Sequence, residues 1–187
     1  NISGSLPKGL DASFYQKIIK FAKENKIFVS LDTSGNTLKE IVKGEIKPDL
    51  IKPNETEIKD IIEKEFPENE EEIRKIFDKY PLKDIPYVII SQGKDGAIFK
   101  IKNKIYKAKV PKVKAINPVG SGDSTLAGAL SAIYNKEDDE DFIKKSMTCG
   151  LLNVLNEEIA HININDFDKY KEKIEIKELI WKFQKKN

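Results

Sequence analysis

The stretch AINPVGSGDSTLAGAL, residues 115–130, decides how the chain is read. Gly120, Ser121 and Gly122 precede one carboxylate, Asp123, and an apolar helical run follows, from about Ser121 to Tyr134. A helix start needs one capping side chain, and Ser121 or Asp123 would serve. Two glycines around a serine exceed that need. They remove side chains where helix-start N–H groups face outward, which makes an anion site. The spacing matches neither Gly-x-x-x-x-Gly-Lys-Ser/Thr nor Gly-x-Gly-x-x-Gly, so the usual nucleotide fingerprints are absent.

Upstream, apolar strands alternate with amphipathic helices. KIFVSLD, PDLIKP and YVIIS read as strands. ASFYQKIIKFAKEN reads as a helix whose shared apolar face is Phe14, Ile18, Phe21 and Ala22. NTLKEIVKGE, NETEIKDIIEKEF and NEEEIRKIFDKY are further helices, and GAIFKIKNKIYKAKV is a hairpin around KNK. Beyond the quoted stretch come a helix from about Glu137 to Leu155, another in NDFDKYKEK, and a last strand in IEIKEL. This order predicts one α/β domain with a mainly parallel sheet and helices on both faces. Ligands of such sheets bind beyond the carboxyl ends of strands, so polar residues just after strands are the candidates.

Composition narrows the partners. Charged residues are 34% of the chain, but 33 Lys and Arg against 31 Asp and Glu leave +2. The charges are dispersed along helices as on a solvated surface, which argues against nucleic acid. The basic KFQKKN end reads as a frayed tail. Cys149 is the only cysteine, so no internal disulfide forms, and it reads as buried filler. No apolar run approaches the ~20 residues of a membrane span, and NISGSLPKGL lacks the basic start and apolar middle of a signal peptide. A cytoplasmic location with no membrane contact is the expectation. His161 is the only histidine, without partners at ligand spacing, and reads as structural. EDDED, residues 137–141, suits a solvated helix start, and Trp181 and Phe183 suit a core edge or a partner.

Three other loops follow strands. Asp32 to Gly35 forms a turn in which Ser34 caps the next helix. In IKPNETE, Asn54 and Glu57 fit a capping box, while Lys52 adds a cation and Glu57 suits a water-mediated Mg²⁺ contact. In SQGKDGA, Asp95-Gly96 reads either as a tight hairpin turn or as a place where backbone approaches a nucleotide. The quoted loop carries the sharpest chemistry. Phosphoryl transfer is mostly positioning and charge stabilisation, and amides at 120–122 would receive the charge of the moving group. Asp123, beside them, suits a base that takes a hydroxyl proton late in a loose transition state.

At these residues the chain resembles the ribokinase-like carbohydrate kinases of the phosphofructokinase B type. Gly120-Ser121-Gly122-Asp123 matches that family's signature at a helix start. Ser3 to Pro7, Asp32 to Gly35, Lys52 to Glu57 and Ser91 to Gly96 match its other motifs, in its order, to near residue 177. The resemblance implies a three-layer α/β/α fold. It implies that residues 1–187 are the C-terminal ATP-binding and catalytic part of a single kinase domain, without the N-terminal half and β lid. It implies ATP-dependent transfer to a ketohexose phosphate: tagatose 6-phosphate first, from NPVGSGDST followed by LLNVLNEEIAHININDFDKY, and fructose 1-phosphate as the alternative. By the same resemblance Asp123 is the base, and Gly120, Ser121 and Gly122 form the anion hole. Asn54 and Glu57 organise Mg²⁺ and phosphate. Lys52, Ser91, Gly93, Lys94 and Gly96 lie along the ATP site, and Asn153 near the nucleotide base; read from the residues alone, Asn153 is a polar helix flank. The resemblance allows a homodimer of the full-length protein. A nucleotide-binding fragment without catalysis is the alternative of another class, and Asp123 speaks against it for the complete protein.

Overall fold

A computed structural model describes residues 1–79 and 81–180. The chain divides into two compact units. The first holds residues 1–90, 100–105 and the segment from Leu179; the second holds 91–99 and 106–178. Trp181, Phe183 and the basic tail, for which expectations were stated, lie outside the described residues.

In the first unit, strands β1 (Ile2–Ser3), β2 (Ser30–Asp32), β3 (Leu50–Ile51) and β4 (Tyr87–Ser91) lie side by side in chain order. Successive pairs are parallel, with Ile2 opposite Leu31, Leu31 opposite Ile51, and Ile51 opposite Val88. Consecutive residues Val88, Ile89 and Ile90 are all buried, which requires cover on both faces of the strand. Helices α1 (Ala12–Glu24), α2 (Gly35–Lys43), α3 (Glu55–Ile62) and α4 (Glu70–Lys79) connect these strands. α2 buries Leu38, Ile41 and Val42, and α3 buries Ile58, Ile61 and Ile62.

The inward face of α1 differs from the one expected. Ala12, Tyr15, Ile19 and Ala22 are buried, while Phe14 and Phe21 are 42% and 62% exposed. α1 carries two apolar stripes, so periodicity alone leaves its rotation open. The Tyr15 hydroxyl, donating to the Gly4 carbonyl at 3.3 Å, sits on the stripe that turns inward. Ser34 precedes α2 but makes no capping bond with its side chain, against expectation.

One buried cation went unread in the sequence. Lys100 is 6% exposed, and its ammonium donates to the carbonyls of Leu82, Lys83 and Ile85 at 2.8, 2.7 and 2.6 Å. It closes the 3-10 turn Pro81–Asp84 that leads into β4. Burial pulls its pKa down to about 8, with Asp84 and Asp78 opposing. Between about pH 8 and 10.5 the unfolded chain therefore holds a proton that the folded chain has released. The contribution of Lys100 to stability rises with pH across that window. Lys100→Met takes the ammonium from three carbonyls, of which that of Leu82 keeps a backbone donor, the Ile85 N–H at 3.2 Å, and is expected to lose about 3 kcal/mol at neutral pH. The gap between wild type and variant in urea unfolding should widen as pH rises through the window; a gap that narrows refutes this account.

The second unit carries the hairpin of β5 (Ala97–Ile101) and β6 (Lys104–Lys109), of which residues 100–105 belong to the first unit. The turn is Lys102-Asn103, with Lys102 at φ 55. β6 pairs antiparallel with β7 (Glu175–Glu178), Ala108 facing Ile176. α5 (Ser121–Tyr134) takes the bounds read from the sequence, and α6 (Asp139–Val154) and α7 (Phe167–Lys171) follow. Within EDDED, Asp138 caps α6 by accepting from the Asp141 amide at 2.9 Å. α5 and α6 pack at glycine contacts. A Cβ on Gly128 would stand 2.8 Å from the Lys145 carbonyl, and one on Gly150 2.1 Å from Thr125 Oγ1. Cys149 is half-buried beside Gly128, and burial raises its thiol pKa.

Candidate active site

In the second unit the quoted loop is built by α5 and the end of α6. Residues before Gly120 are strapped to α6: the amides of Ile116 and Asn117 donate to the Val154 carbonyl at 2.9 and 3.2 Å. The Asn117 amide group donates to the Glu157 carbonyl at 2.9 Å and accepts from the Val119 N–H at 3.0 Å. Gly120 caps α5 at φ 82, in the left-handed region that favours glycine. A Cβ there would lie 2.8 Å from the Ala160 nitrogen and 3.0 Å from Ile159 Cγ2. Position 120 is thus closed to any side chain twice over.

The helix start leaves amides open, though not the expected set. The Ser121 N–H donates to the Pro118 carbonyl at 3.2 Å, so the turn itself uses it. The Ser124 N–H makes the first helical bond, to Gly120 at 2.9 Å. Among the described residues, the amides of Gly120, Gly122 and Asp123 have no backbone partner. The Asp123 amide, rather than that of Ser121, is among the open ones; the first turn of any helix orphans such groups, and counting them could have found it. The Asp123 side chain is exposed and bonds no other described residue.

Asn153 is not on a helix flank. It is 0% exposed, donates to the Val119 carbonyl at 2.9 Å and accepts from Ser124 Oγ at 3.3 Å. Its side chain faces the loop and is shut off from solvent. Gly96 is buried at φ 100, and a Cβ would strike the Ala108 carbonyl of strand β6 at 2.0 Å. Asp95-Gly96 is not a two-residue turn. Gly93–Asp95 form a 3-10 turn closed by the Gln92 amide on the Gly96 carbonyl at 2.9 Å. Gly93 and Lys94 are exposed on that turn, and Ser91 is half-buried at its start.

In the first unit, Asn54 and Glu57 form the full capping box. The Glu57 N–H donates to Asn54 Oδ1 at 2.9 Å, and the Asn54 N–H to Glu57 Oε2 at 2.8 Å. One oxygen of Glu57 is therefore engaged, and a carboxylate retains further lone pairs. The Lys52 ammonium pairs with Asp32 Oδ2 at 3.3 Å, a partner the sequence reading did not give it. No group of three or more His, Cys, Asp or Glu poised to hold a metal exists among the described residues. His161 is exposed, 3.6 Å from Glu158. No described helix is long and apolar enough to cross a membrane.

Strands alternate with helices in an α/β protein, and open helix-start amides lie beside an unpaired carboxylate. The chain belongs to the pfkB family of carbohydrate kinases, whose model matches residues 1–164. Tagatose-6-phosphate kinases from two strains of Staphylococcus epidermidis are each 38% identical to it over 178 residues, 95% of this chain and 57% of theirs. The chain thus spans little more than half the length of these relatives. A candidate phosphofructokinase from Staphylococcus aureus superposes with a TM-score of 0.82 at 26% identity, over 94% of this chain and 56% of that one. Phosphofructokinase-2 from Escherichia coli, solved with fructose 6-phosphate, gives 0.76 at 21%, over 90% and 54%. The fold is the ribokinase-like α/β fold with a mainly parallel sheet.

Proposed function

We propose that the protein transfers the γ-phosphoryl group of ATP to a hydroxyl of a ketohexose phosphate, converting tagatose 6-phosphate to tagatose 1,6-bisphosphate. The observation that carries this is the free Asp123 carboxylate directly behind the open amides of Gly120, Gly122 and Asp123. Asp123 takes the proton of the attacking hydroxyl. The hydroxyl oxygen bonds to the γ-phosphorus as the bond to the bridging oxygen breaks, and ADP leaves. The amides receive charge on the moving group's oxygens; removing one such donor from a site of this kind costs ~10²–10³-fold. The choice of sugar is supported by the relatives at 38% identity.

Mg²⁺, when bound with ATP, would offset phosphate charge during the transfer. In the first unit, Glu57 suits it through water: its carboxylate is half-buried, one oxygen is fixed by Asn54, and Mg²⁺ typically keeps several waters. Lys52 and Asn54 precede that position in the sequence, and the family resemblance assigns them to ATP. A panel of ketohexose phosphates presented to the full-length protein, with kcat/KM measured for each with ATP and Mg²⁺, tests the reading. Tagatose 6-phosphate is expected to lead. A lead for fructose 1-phosphate replaces the substrate, and no turnover with any sugar phosphate rejects the kinase.

A further inference from the structure

We propose that Asn153 is a positioning residue that sets the geometry of the Gly120–Asp123 loop without touching substrate. The proposal rests on reading that loop as an anion hole. Asn153 is fully buried near the end of α6, and a buried primary amide costs free energy unless its bonds are made. Both of its bonds go to the loop's two ends. Nδ2 donates to the carbonyl of Val119, the residue before Gly120, and Oδ1 accepts from Oγ of Ser124, the residue after Asp123. The two anchors bracket the four residues that carry the open amides and the carboxylate.

Oδ1 also lies 3.3 Å from where a Cβ on Gly120 would stand, so the amide closes one side of the left-handed residue. A carbonyl only accepts, so the group facing Val119 must donate, while its neighbouring atom accepts from the serine. A side-chain amide does both at that reach. An ionised aspartate of the same shape only accepts, and an apolar residue does neither. The need for an amide therefore comes from the loop.

The test compares the full-length protein as wild type, Asn153→Asp and Ser124→Ala, each followed by steady-state kinetics and by the backbone amide resonances of Gly120, Gly122 and Asp123. A misplacement of ~1 Å in a catalytic array costs ~10²-fold. Asn153→Asp is expected to lower kcat by about 100-fold per folded molecule, with KM for the sugar phosphate within about threefold. The three loop resonances move, and those of β2 and β3 stay. Ser124→Ala removes one anchor without adding charge, and is expected to move the same resonances and lower kcat by about fivefold. If Asn153→Asp fails to fold, Ser124→Ala decides by these criteria. Loop resonances that superimpose on wild type, or a kcat within twofold of it, overturn the proposal. Wild type without turnover on any ketohexose phosphate overturns the kinase reading instead, and the resonances alone then judge the role of Asn153.

Discussion

Asp123→Asn lowers turnover by about 10³-fold and leaves the Kd for ATP within about threefold. The substitution keeps shape and removes only the capacity to take a proton. A positioned general base contributes ~10²–10⁴-fold. Because the Asp123 side chain is exposed and bonds no other described residue, its loss orphans nothing, and the change in stability should stay within ±0.5 kcal/mol. That separates the reading from a structural one, in which turnover and melting temperature fall together. Turnover within a few fold of wild type, at full ATP occupancy, removes Asp123 from the mechanism.

Gly120→Ala tests the other half of the loop, and its effect should appear in stability and turnover together. A non-glycine residue at φ 82 costs roughly 1–2 kcal/mol. The added Cβ also meets the Ala160 nitrogen at 2.8 Å and Ile159 Cγ2 at 3.0 Å, and the nearer of these is backbone, which cannot turn aside as a flexible side chain does. Either the loop or the segment after α6 must shift. A total near 2 kcal/mol lowers the melting temperature by about 4–8 °C in a domain of this size. Displaced amides lower kcat by about 100-fold. Scanning calorimetry and steady-state kinetics check both. A variant with wild-type turnover shows that the amides of Gly120 and its neighbours do not receive the transferred group.

Much of this was legible in the chain. α5 runs from Ser121 to Tyr134 as its sequence indicates, because a long apolar run is a local signal, but Gly120 caps it where Ser121 or Asp123 was expected. The capping box of Asn54 and Glu57 is likewise a three-residue pattern, and both of its bonds form. What escaped was partner choice. Ser121 looked like an open donor until the turn from Pro118 used its amide. Gly96 was read only within its own loop, and the Ala108 carbonyl that packs against it comes from another strand. Lys100 drew no reading in the sequence and is a buried clamp on three carbonyls.

The amino-acid sequence by itself determined the alternation of strands and helices, the family's motifs and the chemical identity of the loop, because these depend on residues a few positions apart. Only the tertiary structure decided which stripe of α1 turns inward, which amides stay open, and that Asn153 grips the loop. Those outcomes depend on elements that meet across long separations, 29 and 34 residues for the two bonds of Asn153. Periodicity reports that a face is apolar or that a group is polar. It carries no information about which distant surface arrives to bury the one or satisfy the other.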